Sequence, residues 1–203
     1  MCVSEVAFWT HRALWQLLFS GKFDKFPGLK YCVVECGSWW VGDLLWKADV
    51  NFGASWKIKK MSSRMKGLLT KLPSEYFGDS VFIGASTMSR YEIRERHRNG
   101  IDALMWGTDY PHPEGSWPNT VHRLENDFQD VSIEDTRRLL GLNAIECYNL
   151  DVEGLTTVAN RIGPTPEKLN QDPALRTSPT AKRDARWWFD EYGIEWSGPE
   201  NGL

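Results

Sequence analysis

Apolar residues recur every three to four positions near the start of the chain. Val6, Phe8, Trp9, Ala13, Leu14, Leu17 and Leu18 form the stripe of an amphipathic helix over residues 5–20. Ser20-Gly21 closes that helix. Beyond Pro27-Gly28 the period changes: residues 30–36 hold Tyr31, Val33 and Val34 in a short run of strand type, broken by Gly37-Ser38. Helices are predicted around 39–48 and over 56–71. Strand character returns at 80–85, and a charged helix over 87–98 stops at Asn99-Gly100. A third strand at 103–107 runs into the polar loop 108–118, and a helix follows over 121–128. Ser132 then caps a helix with Glu134 and Asp135 in its first turn and Arg137-Arg138 further on, the sign order that the helix dipole favours. From residue 163 the prolines Pro164, Pro166, Pro173 and Pro179 predict an extended tail, closed by Trp187, Trp188, Phe189, Tyr192 and Trp196.

Strands alternating with helices predict an α/β fold with parallel pairing. A closed eight-stranded barrel takes about 250 residues, and this chain of 203 residues shows three strands. The expected architecture is therefore part of a (β/α)8 TIM-type barrel, incomplete in this chain, over residues 1–162, with a Pro-rich tail and aromatic patch over 163–203. An incomplete barrel has open sheet edges. Another polypeptide segment completes it, or the sequence is a fragment.

Composition narrows the function classes. An apolar share of 41% and a charged share of 25% fit a folded chain better than a disordered one. A net charge of -3 gives no global reason to bind nucleic acid or an anionic membrane. No apolar run reaches the ~18–20 residues of a membrane span. Glu5 and the absence of Lys or Arg before the first apolar stretch argue against a secretory signal, which leaves the cytoplasm as the expected location. The four cysteines are too scattered for a disulfide framework. Cys32 and Cys36, if both on one strand, sit about 13 Å apart at ~3.3 Å per residue, too far to pair. Eleven tryptophans supply cores, interfaces and flat ligand pockets alike.

Three places could carry chemistry. The loop TDYPHPEGSWP puts Asp109 just past the end of the third strand, where barrels place catalytic groups. A carboxylate there binds a cation or takes a proton from water, or else serves only as a turn residue. Pro111 and Pro113 fix the backbone on either side of His112. Glu35, at the end of the first strand, points to the same rim, where apolar surroundings would suit it to proton transfer; bonding to loop amides is the equal alternative. The stretch 56–72 combines six basic residues, no acid and an apolar stripe, as a partner-binding helix or a solvated outer face. Of the four histidines, His11, His97, His112 and His122, none forms a His-x-His or HExxH motif, so the chain by itself does not spell a metal site.

Taken together, several stretches resemble one family. WTHRALWQLLFSGKFDKFPGLKYCVVECGSWW, KLPSEYFGDSVFIGAS, IDALMWGTDYPHPEGSWP, LLGLNAIECYNLD and ANRIGPTPEKL occur in the order seen in amidohydrolase-related proteins. Within that superfamily they are most similar to the branch of aminocarboxymuconate-semialdehyde and resorcylate-type decarboxylases. The likeness covers roughly residues 5–170 and corresponds to the C-terminal part of the barrel. It implies a metal-dependent hydrolase or decarboxylase of a small cyclic or carboxylated substrate. The divalent metal is expected to be zinc, with manganese as the second choice.

By this resemblance Asp109 matches the ligand after the last strand. The other ligands of the family have no match in this chain, which alone does not fully ligate the metal. Glu35 falls where the decarboxylases carry a catalytic His. Asp109 and Glu35 are thus the expected catalytic residues, and His112, Trp39 and Trp117 the expected substrate contacts. A small-molecule substrate is expected, without nucleic acid or membrane, and a homodimeric state stands open. The alternative is a non-catalytic truncated paralogue that works as a binding protein.

Overall fold

A computed structural model describes residues 2–55 and 68–169. The predicted strands form where the apolar runs lie: β1 Tyr31–Val34, β2 Val81–Ser86 and β3 Leu104–Gly107. They pair in parallel in the order β1-β2-β3, with Val33 opposite Ile83 and Ile83 opposite Leu104. Among the described residues no further strand closes the outer edges of β1 and β3. The sheet is thus a sector of parallel α/β structure, as the strand count predicts.

Helices form the crossovers, as parallel neighbours require. The first helix, α1, spans Cys2–Leu18, and a short α2 spans Lys22–Lys25. Gly21 between them has φ 70°, and a Cβ there would meet the Leu68 carbonyl oxygen, so only glycine fits this exit. Helix α3 (Val41–Ser55) links β1 to β2 and runs longer than the predicted 39–48. Between β2 and β3 the predicted helix shortens to α4, Arg90–Arg94. Charged side chains fill the remainder of that segment, and Arg96 and His97 turn to Asp135 instead of continuing the helix. After β3 come α5 (Thr120–Phe128), α6 (Ile133–Arg137), a wide turn at Arg138–Leu142 and α7 (Asn143–Tyr148). Ser132 caps α6 by accepting from the Asp135 amide, as predicted. Helices α8 (Val152–Ile162) and α9 (Pro166–Leu169) follow, and Leu169 is buried. Residues 56–67, most of the basic stretch, and the tail from 170 lie outside the described residues.

The two faces of the sheet differ. Period-two alternation sends Val33, Val81, Ile83, Ala85 and Leu104 into one core with Leu14 and Leu18 of α1, Val41, Leu45 and Phe52 of α3, Ile93 of α4, and Leu124 and Phe128 of α5. Deep burial of these side chains is the main stabilising term, at about 1.5–3 kcal/mol for each large one. On the opposite face Phe82 and Met105 are covered by Cys147 and Ala144 of α7. That cover is incomplete: Val34 at the end of β1 is exposed. Helix α8 is exposed along its whole length, including its apolar Val152, Leu155, Val158 and Ile162.

Candidate active site

The C-terminal ends of all three strands share one backbone feature. Glu35 directly after β1 has φ 57°, Thr87 directly after β2 has φ 46°, and Asp109 two residues after β3 has φ 58°. Non-glycine residues avoid the left-handed region because Cβ crowds the backbone, at a cost of roughly 1–2 kcal/mol each. Three such residues at one rim concentrate strain where parallel α/β folds place their chemistry.

Buried polar groups hold this rim from behind. Glu92 of α4 is buried, and its carboxylate accepts from the Ser89 amide at 2.9 Å, the Ser89 hydroxyl at 2.8 Å, the Ser38 hydroxyl at 3.1 Å and the Ser38 amide. This joins the helix cap after β2 to the turn that follows Glu35. Behind Thr87, Arg123 and Asp127 of α5 form a buried ion pair at 2.8 Å, and Arg123 also donates to the Thr87 carbonyl at 3.3 Å. Asn143 of α7, fully buried, donates at 2.7 Å to the carbonyls of both Ile101 and Leu104 and so fixes the start of β3. Sequence reading did not single out these residues. The capping signature Ser89-x-x-Glu92 and the i,i+4 spacing of Arg123 and Asp127 were present, but their burial was not readable from spacing.

The loop after β3 folds back tightly on itself. The His112 amide donates to the Asp109 carbonyl at 2.8 Å, the Gly115 amide to His112 at 3.0 Å, and the Ser116 amide to Thr108 at 2.9 Å. A Cβ on Gly115 would lie 2.8 Å from the Thr108 oxygen and 2.9 Å from that of Asp109, so the closed loop requires glycine here. The result brings three ligand-type side chains together. His112 Nδ1 lies 3.4 Å from Asp109 Oδ2 and 3.2 Å from Glu114 Oε1. The ligand atoms of Asp109, His112 and Glu114 all fall within 4.8 Å of one another. Metal bonds of roughly 2.1 Å imply tetrahedral ligand–ligand edges of roughly 3.4 Å, which the two separations from His112 match. Asp109 is largely sheltered at 16% exposure, while His112 at 58% and Glu114 at 69% face solvent. Glu114 went unnoticed in the sequence, although a carboxylate two residues from His112 in a proline-stiffened loop was the available signal.

The other expected residues are placed less closely. Glu35 donates its amide to the Gly84 carbonyl at 3.1 Å, but its side chain is exposed rather than enclosed by apolar groups. Its position at a strand end, the shortest of exits before Gly37, turns it to solvent. Trp39 and Trp117 are also exposed, and Trp117 packs edge-on against Tyr110 with ring centroids 5.8 Å apart. His11 stacks on Trp40 at 3.8 Å, and burial lowers its pKa from the ordinary value. It belongs to the α1 packing and not to the rim.

The chain is a parallel α/β sector with polar loops and candidate ligands at the C-terminal ends of its strands. Residues 7–150 match the amidohydrolase family, and the chain belongs to that family. No curated protein matches it. Among solved structures it is similar to 5-carboxyvanillate decarboxylase of Sphingomonas paucimobilis, at 24% identity and a TM-score of 0.51, covering 67% of this chain and 38% of that one. It is also similar to 5-carboxyvanillate decarboxylase of Novosphingobium aromaticivorans complexed with manganese and 4-hydroxy-3-methoxy-5-nitrobenzoic acid. That likeness has 25% identity, a TM-score of 0.52 and coverage of 68% of this chain and 38% of that one. The present chain thus spans 38% of the length of these two relatives. Among the described residues no helix is long and apolar enough to cross a membrane.

Proposed function

We propose that this chain carries the C-terminal half-site of a divalent-metal-dependent hydrolase or decarboxylase acting on a small cyclic, carboxylated substrate. The observation that carries this reading is the grouping of Asp109, His112 and Glu114 at the end of β3 in a chain of the amidohydrolase family. The manganese and the hydroxybenzoate of the structurally similar decarboxylase support a divalent cation and an aromatic acid as the ligand chemistry.

Asp109 would hold the cation, and its sheltered carboxylate would pass a proton between water and substrate. His112 and Glu114 would complete a three-ligand group that leaves a coordination position open. A bound divalent ion supplies Lewis-acid polarisation and a more acidic water. Glu35, across the rim, would orient the substrate or act as an acid. His112, Trp39 and Trp117 would frame a flat ring, since exposed indoles offer apolar faces with polar edges.

Titration of the purified chain with manganese chloride and with zinc chloride tests this reading. Stoichiometric binding that Asp109→Asn weakens at least tenfold is the expected result. Absence of binding to both ions would overturn it. The second reading, a paralogue that binds a partner without turnover, draws on the exposed apolar residues of α8. Carbon dioxide release from any of a panel of hydroxybenzoic acids would rule out the second reading, which expects no turnover.

A further inference from the structure

The covered face of the sheet carries a second reactive cluster, on side chains that the rim does not use. Cys32 of β1 and Phe82 of β2 meet Met105 of β3 and Cys147 of α7. Cys147 is buried and Cys32 half-buried, and neither is bonded to another cysteine. The Tyr148 hydroxyl donates to the Cys32 sulfur at 3.5 Å, and Tyr148 directly follows Cys147 in α7. Burial and the neighbouring Cys32 push the Cys147 thiol up to about 12, so it remains protonated at neutral pH. Lys30, whose ammonium lies 5.3 Å from the Phe82 ring centroid, places a positive charge at the edge of the cluster. Cys36 is engaged elsewhere, with its sulfur 3.1 Å from the Thr10 hydroxyl.

We propose that Cys32 and Cys147 form an oxidisable dithiol, a modification site at which hydrogen peroxide closes a disulfide between β1 and α7. The two thiols belong to one cluster on this face of the sheet, and the half-buried Cys32 is the more open of the two to a small oxidant. In the first step the Cys32 sulfur takes an oxygen from peroxide, giving a sulfenic acid, and the second peroxide oxygen leaves as water. In the second step the Cys147 sulfur attacks the Cys32 sulfur. The S–S bond forms, the S–OH bond breaks, and the hydroxyl leaves as water with the Cys147 proton. In sum, two thiols lose two hydrogens and two electrons while one peroxide becomes two waters. The crosslink joins residues far apart in sequence, so it removes much conformational freedom from the unfolded chain. It also pins α7 across the incompletely covered face, next to the Asn143 clamp on β3. Metal binding at the rim plays no part in this chemistry.

The test treats the reduced full chain with hydrogen peroxide and reads intact mass, a peptide map and thermal unfolding. The expected product has lost two hydrogens, joins the peptides of Cys32 and Cys147, reverts with dithiothreitol, and melts several degrees higher. In Cys147→Ser, Cys32 should gain oxygen with no crosslink, and Cys36→Ser should still form the pair. If Cys147→Ser fails to fold, the wild-type peptide map decides. A wild-type chain that only gains oxygen, pairs other cysteines or keeps all its thiols under peroxide would overturn the proposal.

Discussion

His112 Nδ1 sits between two carboxylates, 3.4 Å from Asp109 and 3.2 Å from Glu114, in the loop that follows β3. The arrangement offers one ring nitrogen and two carboxylate oxygens within 4.8 Å of one another.

Calorimetric titration with manganese should therefore rank the three residues. Asp109→Asn is expected to weaken binding at least tenfold, which corresponds to about 1.4 kcal/mol. Glu114→Gln should cost less, because an exposed side chain gives up more freedom on binding. Equal affinities in wild type and Asp109→Asn would count against the assignment.

Gly115→Ala tests the loop that makes the cluster. The added Cβ would press on the carbonyls of Thr108, Asp109 and His112. Overpacking of this kind costs about 1–3 kcal/mol. The expected outcome is weaker manganese binding with a lower urea midpoint, whereas Gly141→Ala, where a Cβ meets nothing within 4 Å, should leave both intact.

The buried pair of Arg123 and Asp127 makes a separate prediction for stability. Removing one partner, as in Asp127→Ala, strands a guanidinium in the core and should cost about 3–5 kcal/mol in urea unfolding. The double variant Arg123→Met, Asp127→Leu removes both charges and should recover most of the loss. It would still lack the donor to Thr87, so the rim should be the part that fails to recover, read as residual loss of metal affinity.

Acid sensitivity should begin with His11. Burial lowers its folded-state pKa from the ordinary 6.5, so between the two values the unfolded chain binds more protons. The stabilising contribution is complete above about pH 6.5 and is lost as pH falls through that value toward the lowered one. A melting series from about pH 7.5 to 5 should show this decline, and His11→Phe should flatten it. Asp135 acts in a lower window. Burial pushes its pKa up, but the Arg96 hydrogen bond and charge pull it further down, below the ordinary 3.8. Its contribution is present above that ordinary value and is lost as pH falls through the depressed one.

Much of the fold and part of the site could be read along the chain. Apolar runs located β1, β2 and β3 to within a residue or two, because a buried parallel strand must be apolar on both faces. Ser132 was readable as a cap, because its hydrogen bond closes within the same helical turn. The place of Asp109, two residues past β3, is readable because a strand end and a polar loop are local features. Helix α4 was read too long, since the pull of Asp135 on Arg96 and His97 comes from a distant helix. The carboxylate of Glu92 reaching Ser38, and the Tyr148 hydroxyl reaching Cys32, also cross between elements.

What the sequence determined by itself is everything carried by periods of two and 3.6 residues and by turn chemistry: the class, the order of elements and the candidate rim. Tertiary structure alone decided which polar groups are buried and which side chains meet. Burial and long-range contact depend on how separate elements pack, and no spacing along the chain encodes the distance between residues that only folding brings together.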